Sequence, residues 1–106
     1  MSLRWHYAQG KFSEAVGSMA ASSRPLRERL ETAFLSHLVH LQLSDFPQEL
    51  HGRYSDLVKN LSTAKPVYKG EGSVNATIRT MHPSKAKKLI IEISSINFSL
   101  AQIYTD

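Results

Sequence analysis

Four stretches of the sequence repeat apolar residues at steps of three and four, and this pattern restricts the fold more than any other feature. Such steps keep side chains on one face of an α-helix, because 3.6 residues make one turn. The four stripes are Trp5–Ala8–Phe12–Ala15–Met19, Leu26–Leu30–Ala33–His37–Leu41, Leu50–Tyr54–Leu57–Leu61 and Leu89–Ile93–Ile96–Leu100–Ile103. Helices with one apolar face leave water only by packing together. The sequence therefore predicts an all-α, compact four-helix bundle, formed as a single helical domain over 1–106.

The predicted helices begin where a proline stands before an apolar stripe. Pro25, Pro47 and Pro83 hold such positions. A proline in the first turn removes no helical hydrogen bond, because that N–H lacks an intrahelical partner. We expect helices at about 4–21, 25–43, 47–62 and 84–104. The links between the first three helices are a few residues long, which favours mostly up-down packing of neighbours.

Two of these helices are preceded by residue types that are common at N-cap positions. Ser22 or Ser23 is expected to cap the second helix, and Asp45 with Gln48 forms a capping-box pattern before the third. A side-chain oxygen at such a position accepts a hydrogen bond from an otherwise unpaired N–H of the first turn.

The third connection, over 63–82, is long and irregular. A proline and two glycines break regular structure within it. The residues at 73–81 place apolar side chains where either a strand or a helix would need them. A strand also needs a partner, which only 66–69 is able to provide, so we favour a short extra helix capped by Ser73.

Two predicted helices carry apolar residues on a second side, away from the main stripe. These are Leu35 and Val39 in the second helix and Ile91 and Phe98 in the last. Leaving each of them in water forgoes about 1.5–3 kcal/mol relative to burial. Two interpretations follow: the second surface is a partner interface, most simply a homodimer seam, or the 63–82 connector covers it.

Nothing in the sequence has the pattern of an active site. No nucleophile paired with a base, no paired carboxylates and no nucleotide-binding loop is recognisable. We therefore expect no enzymatic activity and no cofactor. The second apolar surface instead favours a small helical interaction or regulatory module that forms a homo-oligomer or binds another protein.

Lys85, Lys87 and Lys88 occupy the predicted first turn of the last helix. This end is unfavourable for positive charge, because the helix dipole already places about +0.5 of a charge there. An anion held by these lysines, by Ser84 and by free N–H groups would relieve the repulsion, with Arg79 nearby. The alternative function is therefore a weak, salt-dependent contact with a phosphate or a nucleic-acid backbone. A solvated basic turn explains the same residues without a ligand.

His37 and His40 are the nearest approach to a metal motif. Spaced three apart on a helix, they project from neighbouring positions and are able to share one ion. Further ligands would have to come from other parts of the fold, where His6, His51 and His82 are the candidates. Because His37 falls within an apolar stripe, we favour a hydrogen-bonded core histidine over a metal site.

Composition restricts the remaining classes of function. The chain has 13 Lys and Arg residues against 9 Asp and Glu residues, a net charge of +4 and a pI near 9.6. This permits an anionic partner without the heavy clustering of charge typical of DNA-binding domains. The chain has no cysteine, which excludes disulfides and thiolate sites. No run of about 18 apolar residues is present, so we expect no membrane-spanning helix and a cytoplasmic location.

Overall fold

The computed structural model describes residues 3–103, and every regular element in that range is helical. Its five α-helices are α1 (Leu3–Ala21), α2 (Leu26–Ala33), α3 (His51–Asn60), α4 (Ser73–Arg79) and α5 (Pro83–Gln102). A π turn over Phe34–Leu38 continues α2, and 3₁₀ turns span Leu43–Asp45 and Gln48–Leu50. The all-α prediction is confirmed, but the described residues hold five α-helices instead of four. The added helix, α4, is the short one expected within the 63–82 connector.

Helix α1 contacts more of the fold than its neighbours do. It packs against α2, the π turn, the first 3₁₀ turn and α5. The buried residues of the α-helices that fall on the predicted stripes are Ala8, Phe12, Ala15, Met19, Leu30, Ala33, Tyr54, Leu57, Leu89, Ile93, Ile96 and Leu100. The stripes thus predicted correctly which side of each long helix faces the core.

The second predicted helix ends earlier than expected. Its last turn is a π turn, in which the Val39 N–H donates to the Phe34 carbonyl oxygen, five residues back, at 2.9 Å. The helical backbone then ends at 39–40, before the predicted end at 43. The Asp45 carboxylate accepts from the Gln42 N–H at 2.8 Å. Asp45 therefore caps the 3₁₀ turn that follows the π turn, and the prediction that it caps the third helix is wrong.

Two other predicted N-caps also differ. Helix α2 begins after Pro25 without a side-chain cap, since the Ser22 hydroxyl oxygen accepts from a nearby backbone N–H outside the helix. Helix α4 begins at Ser73, but Gly72 is its N-cap, and the Asn75 side-chain oxygen accepts from the Gly72 N–H at 3.1 Å. Short polar side chains have several N–H groups within reach, so sequence spacing alone does not select one of them.

A buried tyrosine is hydrogen-bonded to the backbone at the end of the π turn. The Tyr54 hydroxyl donates to the Leu38 carbonyl oxygen at 2.8 Å, and the Leu41 carbonyl oxygen lies 3.1 Å from it. Carbonyl groups in the last turn of a helix have no partner within that helix. The Tyr54 ring stacks on Phe46 with centroids 4.4 Å apart and meets Phe12 of α1 edge-on. One side chain of α3 therefore satisfies the end of the second helix and packs against the first.

Helix α4 is attached to α2. Arg27 of α2 donates to the carbonyl oxygens of Arg79 and Met81 at 3.1 and 3.2 Å. These carbonyls lie at the end of α4, where helical partners are lacking. Buried Thr77 accepts from the Ala64 N–H at 2.9 Å, so α4 in turn holds the beginning of the connector.

We expect the Tyr54→Phe variant to lower the free energy of unfolding by about 0.5–1.5 kcal/mol, because it removes a buried hydrogen bond to the Leu38 carbonyl oxygen. That oxygen keeps the Leu41 N–H as a donor, at 3.0 Å. Urea denaturation followed by circular dichroism measures this change. Tyr68→Phe is the matched control, since the Tyr68 side chain is 62% exposed and its variant should keep the wild-type midpoint. Equal midpoints for wild type and Tyr54→Phe would contradict the assigned role of the hydroxyl.

Alkaline pH tests the same contact. Burial raises the pKa of Tyr54 from 10.0 to about 12, and the Asp45 carboxylate contributes to the rise. The folded state keeps a proton that the unfolded state releases, so stability is complete below pH 10 and falls as the pH rises towards 12. Tyrosinate absorbance should show a late-titrating component in the wild type that is lost in Tyr54→Phe. If every phenol of the folded wild type titrates near pH 10, the prediction fails.

Candidate functional site

Two large apolar side chains project from α5 on the side opposite the core. Ile91 is 57% exposed and Phe98 is 64% exposed, and they lie about two helical turns apart. Ser94 and Ser95, between them, are also exposed. We call the strip formed by these four residues the outer face of α5.

Contacts with α1 and α3 hold α5 on its two flanks and leave the outer face between them. On the α1 side, the Ser13 hydroxyl donates to the Asn97 side-chain oxygen at 3.2 Å. On the α3 side, Arg53 forms an ion pair with Glu92, with Nε 2.9 Å from the carboxylate, and also donates to the Ser95 hydroxyl at 2.8 Å. The outer face is therefore displayed by a helix whose orientation is fixed on both sides.

The other two predicted interface residues lie elsewhere. Leu35 is partly buried and packs against the core. Val39, which is 38% exposed, lines an apolar groove of about 340 Å³ together with Leu43 and Val58. Helix α3 separates this groove from the outer face of α5, because its Val58 lines the groove while its Arg53 contacts α5. The four predicted residues thus fall on separate parts of the molecule.

The 63–82 connector does not cover the outer face of α5. Its own apolar side chains Val67 and Tyr68 are 74% and 62% exposed. Its helix, α4, packs against α2. Ile91 and Phe98 keep their exposure as a result, whereas Leu35 is covered by the core itself.

The first turn of α5 uses its N–H groups internally. The Ser84 N–H donates to the imidazole Nδ1 of His82 at 3.1 Å, which makes His82 the N-cap. The Lys85 and Ala86 N–H groups donate to the His82 carbonyl oxygen at 3.0 and 3.2 Å. These N–H groups are therefore not free to bind an anion, contrary to the arrangement expected for the alternative function.

The basic side chains near this turn occupy different places. Lys85 lines a small polar cleft with threonines from the connector and α4. Lys88 lines another cleft on the α3 side of α5, and Lys87 is exposed. Arg79 is paired with Glu71 at 2.8 Å. The five residues predicted to bind an anion, including Ser84, are thus not brought together around one point.

Glu71 organises the connector. Its carboxylate accepts from the Arg79 guanidinium at 2.8 Å and from the Val67 N–H at 3.0 Å, and the guanidinium lies 4.7 Å from the centre of the Tyr68 ring. The hydrogen bond from Arg79, followed by that from the Val67 N–H, lowers the pKa of Glu71 from 4.5 to about 2. Glu71 and Arg79 line a cleft of about 530 Å³ beside α2. Their charges neutralise each other within it.

The two candidate metal ligands do not share a partner. His37 Nδ1 lies 3.2 Å from Glu14 Oε2, with its side chain 25% exposed, and His40 is exposed. His51 is hydrogen-bonded to the Phe46 carbonyl oxygen at 3.0 Å. Among residues 3–103, no group of three or more His, Cys, Asp or Glu side chains is close enough to hold a metal ion.

Comparison of the chain with protein-family models, with curated proteins and with solved structures finds no match. Within the described range, no helix has both the length and the apolar character needed to cross a membrane. The surfaces described above are therefore the basis for a functional proposal.

Acid titration tests the Glu71 contact. The folded-state pKa of about 2 lies below the ordinary value of 4.5, so the stabilisation is present above pH 4.5 and is lost as the pH falls towards 2. We expect the thermal midpoint of Glu71→Gln to depend less steeply on pH in this range than that of the wild type. Glu49→Gln, at an exposed carboxylate, is the control and should follow the wild-type slope. Equal slopes for wild type and Glu71→Gln would refute the role of this carboxylate.

Proposed function

We propose that the chain is a small non-enzymatic interaction module that self-associates through the outer face of α5. The observation that carries the proposal is the exposure of Ile91 and Phe98, at 57% and 64%, on a helix of 20 residues whose other sides are packed. Large apolar side chains exposed on the same side of one helix are a feature of surfaces that bind a partner. A regulatory role, a cytoplasmic location and the lack of catalytic activity stay predictions from the sequence.

The energetics favour a weak and concentration-dependent association. Full burial of a large apolar side chain contributes about 1.5–3 kcal/mol, and these side chains are only partly exposed in the monomer, so each gains a part of that. Two copies bring Ile91 and Phe98 twice to a shared interface. Association itself costs about 4–15 kcal/mol in lost freedom of motion. That cost refers to a concentration of 1 M, and a dimer with a Kd of 1 mM needs a net gain of about 4.1 kcal/mol. Contacts beside Ile91 and Phe98 on α5 must therefore add to the gain for the dimer to form at high protein concentration, and it should dissociate on dilution.

Leu35 and Val39 are not part of the proposed surface. Leu35 packs against the core, and Val39 lies beyond α3 in the groove. A nucleic-acid contact is also not proposed, because Lys85 and Lys88 line different clefts and the N–H groups beside them are used.

Light scattering at two protein concentrations tests the proposal. We expect the mass of the wild type to rise towards that of a dimer at the higher concentration. Phe98→Asp and Ile91→Asp should each weaken association at least about tenfold, equivalent to about 1.4 kcal/mol, because a buried carboxylate without a partner is unfavourable. Their thermal midpoints should stay near that of the wild type, since both side chains are exposed in the monomer.

Val67→Asp is the matched control for this experiment. It makes the same kind of change at a side chain that is 74% exposed and lies outside the outer face, so its mass should follow that of the wild type. A wild type that stays monomeric at both concentrations would overturn the proposal. Ile93 is buried, so Ile93→Asp is expected to unfold the protein. If Phe98→Asp unfolds it in the same way, Phe98 belongs to the core and the proposal is also overturned.

A further inference from the structure

We infer that the cleft between α2 and α4 binds a small zwitterion, with the carboxylate of the ligand on Arg27 and its ammonium group on Glu31. A dipeptide is the class of ligand that fits the spacing of these two side chains. The cleft has a volume of about 530 Å³, and none of its lining residues belongs to the outer face of α5. The inference is therefore independent of the proposed self-association.

Helix α4 holds apart two opposite charges that α2 places on one face. Arg27 and Glu31 are four residues apart in α2, a spacing at which such side chains attract each other. Arg27 instead donates through Nη1 to the carbonyl oxygens of Arg79 and Met81, at the end of α4, at 3.1 and 3.2 Å. Glu31 accepts at Oε2 from the Asn75 side chain, near the beginning of α4, at 3.0 Å. Among the ion pairs of residues 3–103, none joins Arg27 to Glu31.

The guanidinium of Arg27 keeps its carboxylate-binding edge free. Nη1 carries two hydrogens, and two carbonyl oxygens accept from it. Nε and Nη2 form the other edge, whose parallel N–H groups match the two oxygens of a carboxylate. Within the range that the structure describes, neither of these atoms of Arg27 donates to a protein group. Arg53 holds Glu92 with this same edge, and Arg79 holds Glu71 with it. Arg27 thus offers a third carboxylate site of this kind, without a carboxylate from the protein.

The other charges of the cleft have partners of opposite sign. Of the three carboxylates that line it, Glu71 is paired with Arg79 at 2.8 Å and Glu28 lies 3.9 Å from Arg24. The third, Glu31, is bonded only to a neutral amide, and its Oε1 accepts no hydrogen bond from the described residues. One guanidinium and one carboxylate therefore lack a charged partner. A ligand with one charge of each sign matches both, whereas a singly charged ligand leaves one of them unmatched.

The distance between the two side chains selects the length of the ligand. Positions 27 and 31 of α2, like 75 and 79 of α4, lie about 6 Å apart along the helix axis. In a free amino acid, the ammonium nitrogen and the carboxylate carbon share one Cα and lie about 2.5 Å apart. In an extended dipeptide they lie about 6 Å apart. Pro25 and the buried Ile78 give the cleft an apolar part, which suits the small side chains of L-alanyl-L-alanine.

NMR titration of the ¹⁵N-labelled protein with L-alanyl-L-alanine at low ionic strength tests the inference. We expect saturable shifts of amide signals from α2 and α4, with a Kd on the order of 1 mM, because the ligand is small. Alanine, the N-acetylated dipeptide and the C-terminally amidated dipeptide each lack one required property: the length, the ammonium group or the carboxylate. Each should bind at least about tenfold more weakly.

Substitutions test the two protein groups separately. Glu31→Gln keeps a side-chain oxygen that is able to accept from Asn75 but removes the charge, so it should weaken binding of L-alanyl-L-alanine at least about tenfold. Arg27→Lys keeps the charge without the parallel N–H groups and should have an effect of the same size. Glu49→Gln, at an exposed carboxylate outside the cleft, is the matched control and should bind like the wild type. Phe98→Asp should also bind like the wild type.

Several results would overturn the inference. Shifts that do not saturate at about 50 times the expected Kd would exclude a site. Equal affinity for alanine or for either blocked dipeptide would contradict the recognition of two separated charges. Wild-type affinity in Glu31→Gln, with weaker binding in Glu28→Gln, would place the ammonium group on the wrong carboxylate. If Arg27→Lys unfolds, the ligand series and Glu31→Gln still decide. None of these results changes the dependence of mass on Phe98, so failure here is distinguishable from failure of the proposed self-association.

Discussion

The hydroxyl of Tyr54 links α3 to the end of the second helix and so helps to fix the position of one relative to the other. At the end of the π turn, the Leu38 carbonyl oxygen accepts from the Leu41 N–H at 3.0 Å and from the Tyr54 hydroxyl of α3 at 2.8 Å. The same ring packs against Phe46 and Phe12, so α3 is held against both the second helix and α1. Because this contact is buried, its loss is not compensated by water, so it contributes to the placement of α3 together with the packing of Leu57 in the core.

The placement of α3 in turn defines the surfaces around it. On one side it closes the apolar groove beside Val39, and on another its Arg53 holds the flank of α5 through Glu92. With α1 on the other flank, α5 turns Ile91 and Phe98 towards solvent. The exposed strip is thus a consequence of how the neighbours of α5 are arranged. A substitution at Tyr54 that shifts α3 should therefore also change the surroundings of the outer face of α5.

Sequence periodicity predicted the features that are local to one helix. Phe12 and Ile93 were placed in the core because their helices are regular, and Ile91 and Phe98 were placed on the far side of α5 for the same reason. The π turn was not predictable in this way, because it adds a residue to the turn and shifts the following positions around the axis. Val39 therefore does not continue the position of Leu35.

Contacts between distant segments were also beyond the sequence pattern. Arg53 and Glu92 lie 39 residues apart, and no local spacing connects them. Asp45 had several N–H groups within reach, and only the fold determined that it accepts from Gln42. Exposure of the outer face likewise depended on where the connector lies. The sequence pattern did not determine whether 63–82 covers that face.

The exposed stretch 65–70 of the connector is tied mainly to the connector itself. Glu71 bonds to Val67 and Arg79, both within the same connection, whereas Ile78 and Met81 belong to the hydrophobic core. Local opening of 65–70 does not require the core to separate, because none of these six residues is buried. Changes in chain length should therefore be tolerated at the exposed turn around Gly70. The protein is able to vary in length there without altering the face on which its proposed association depends.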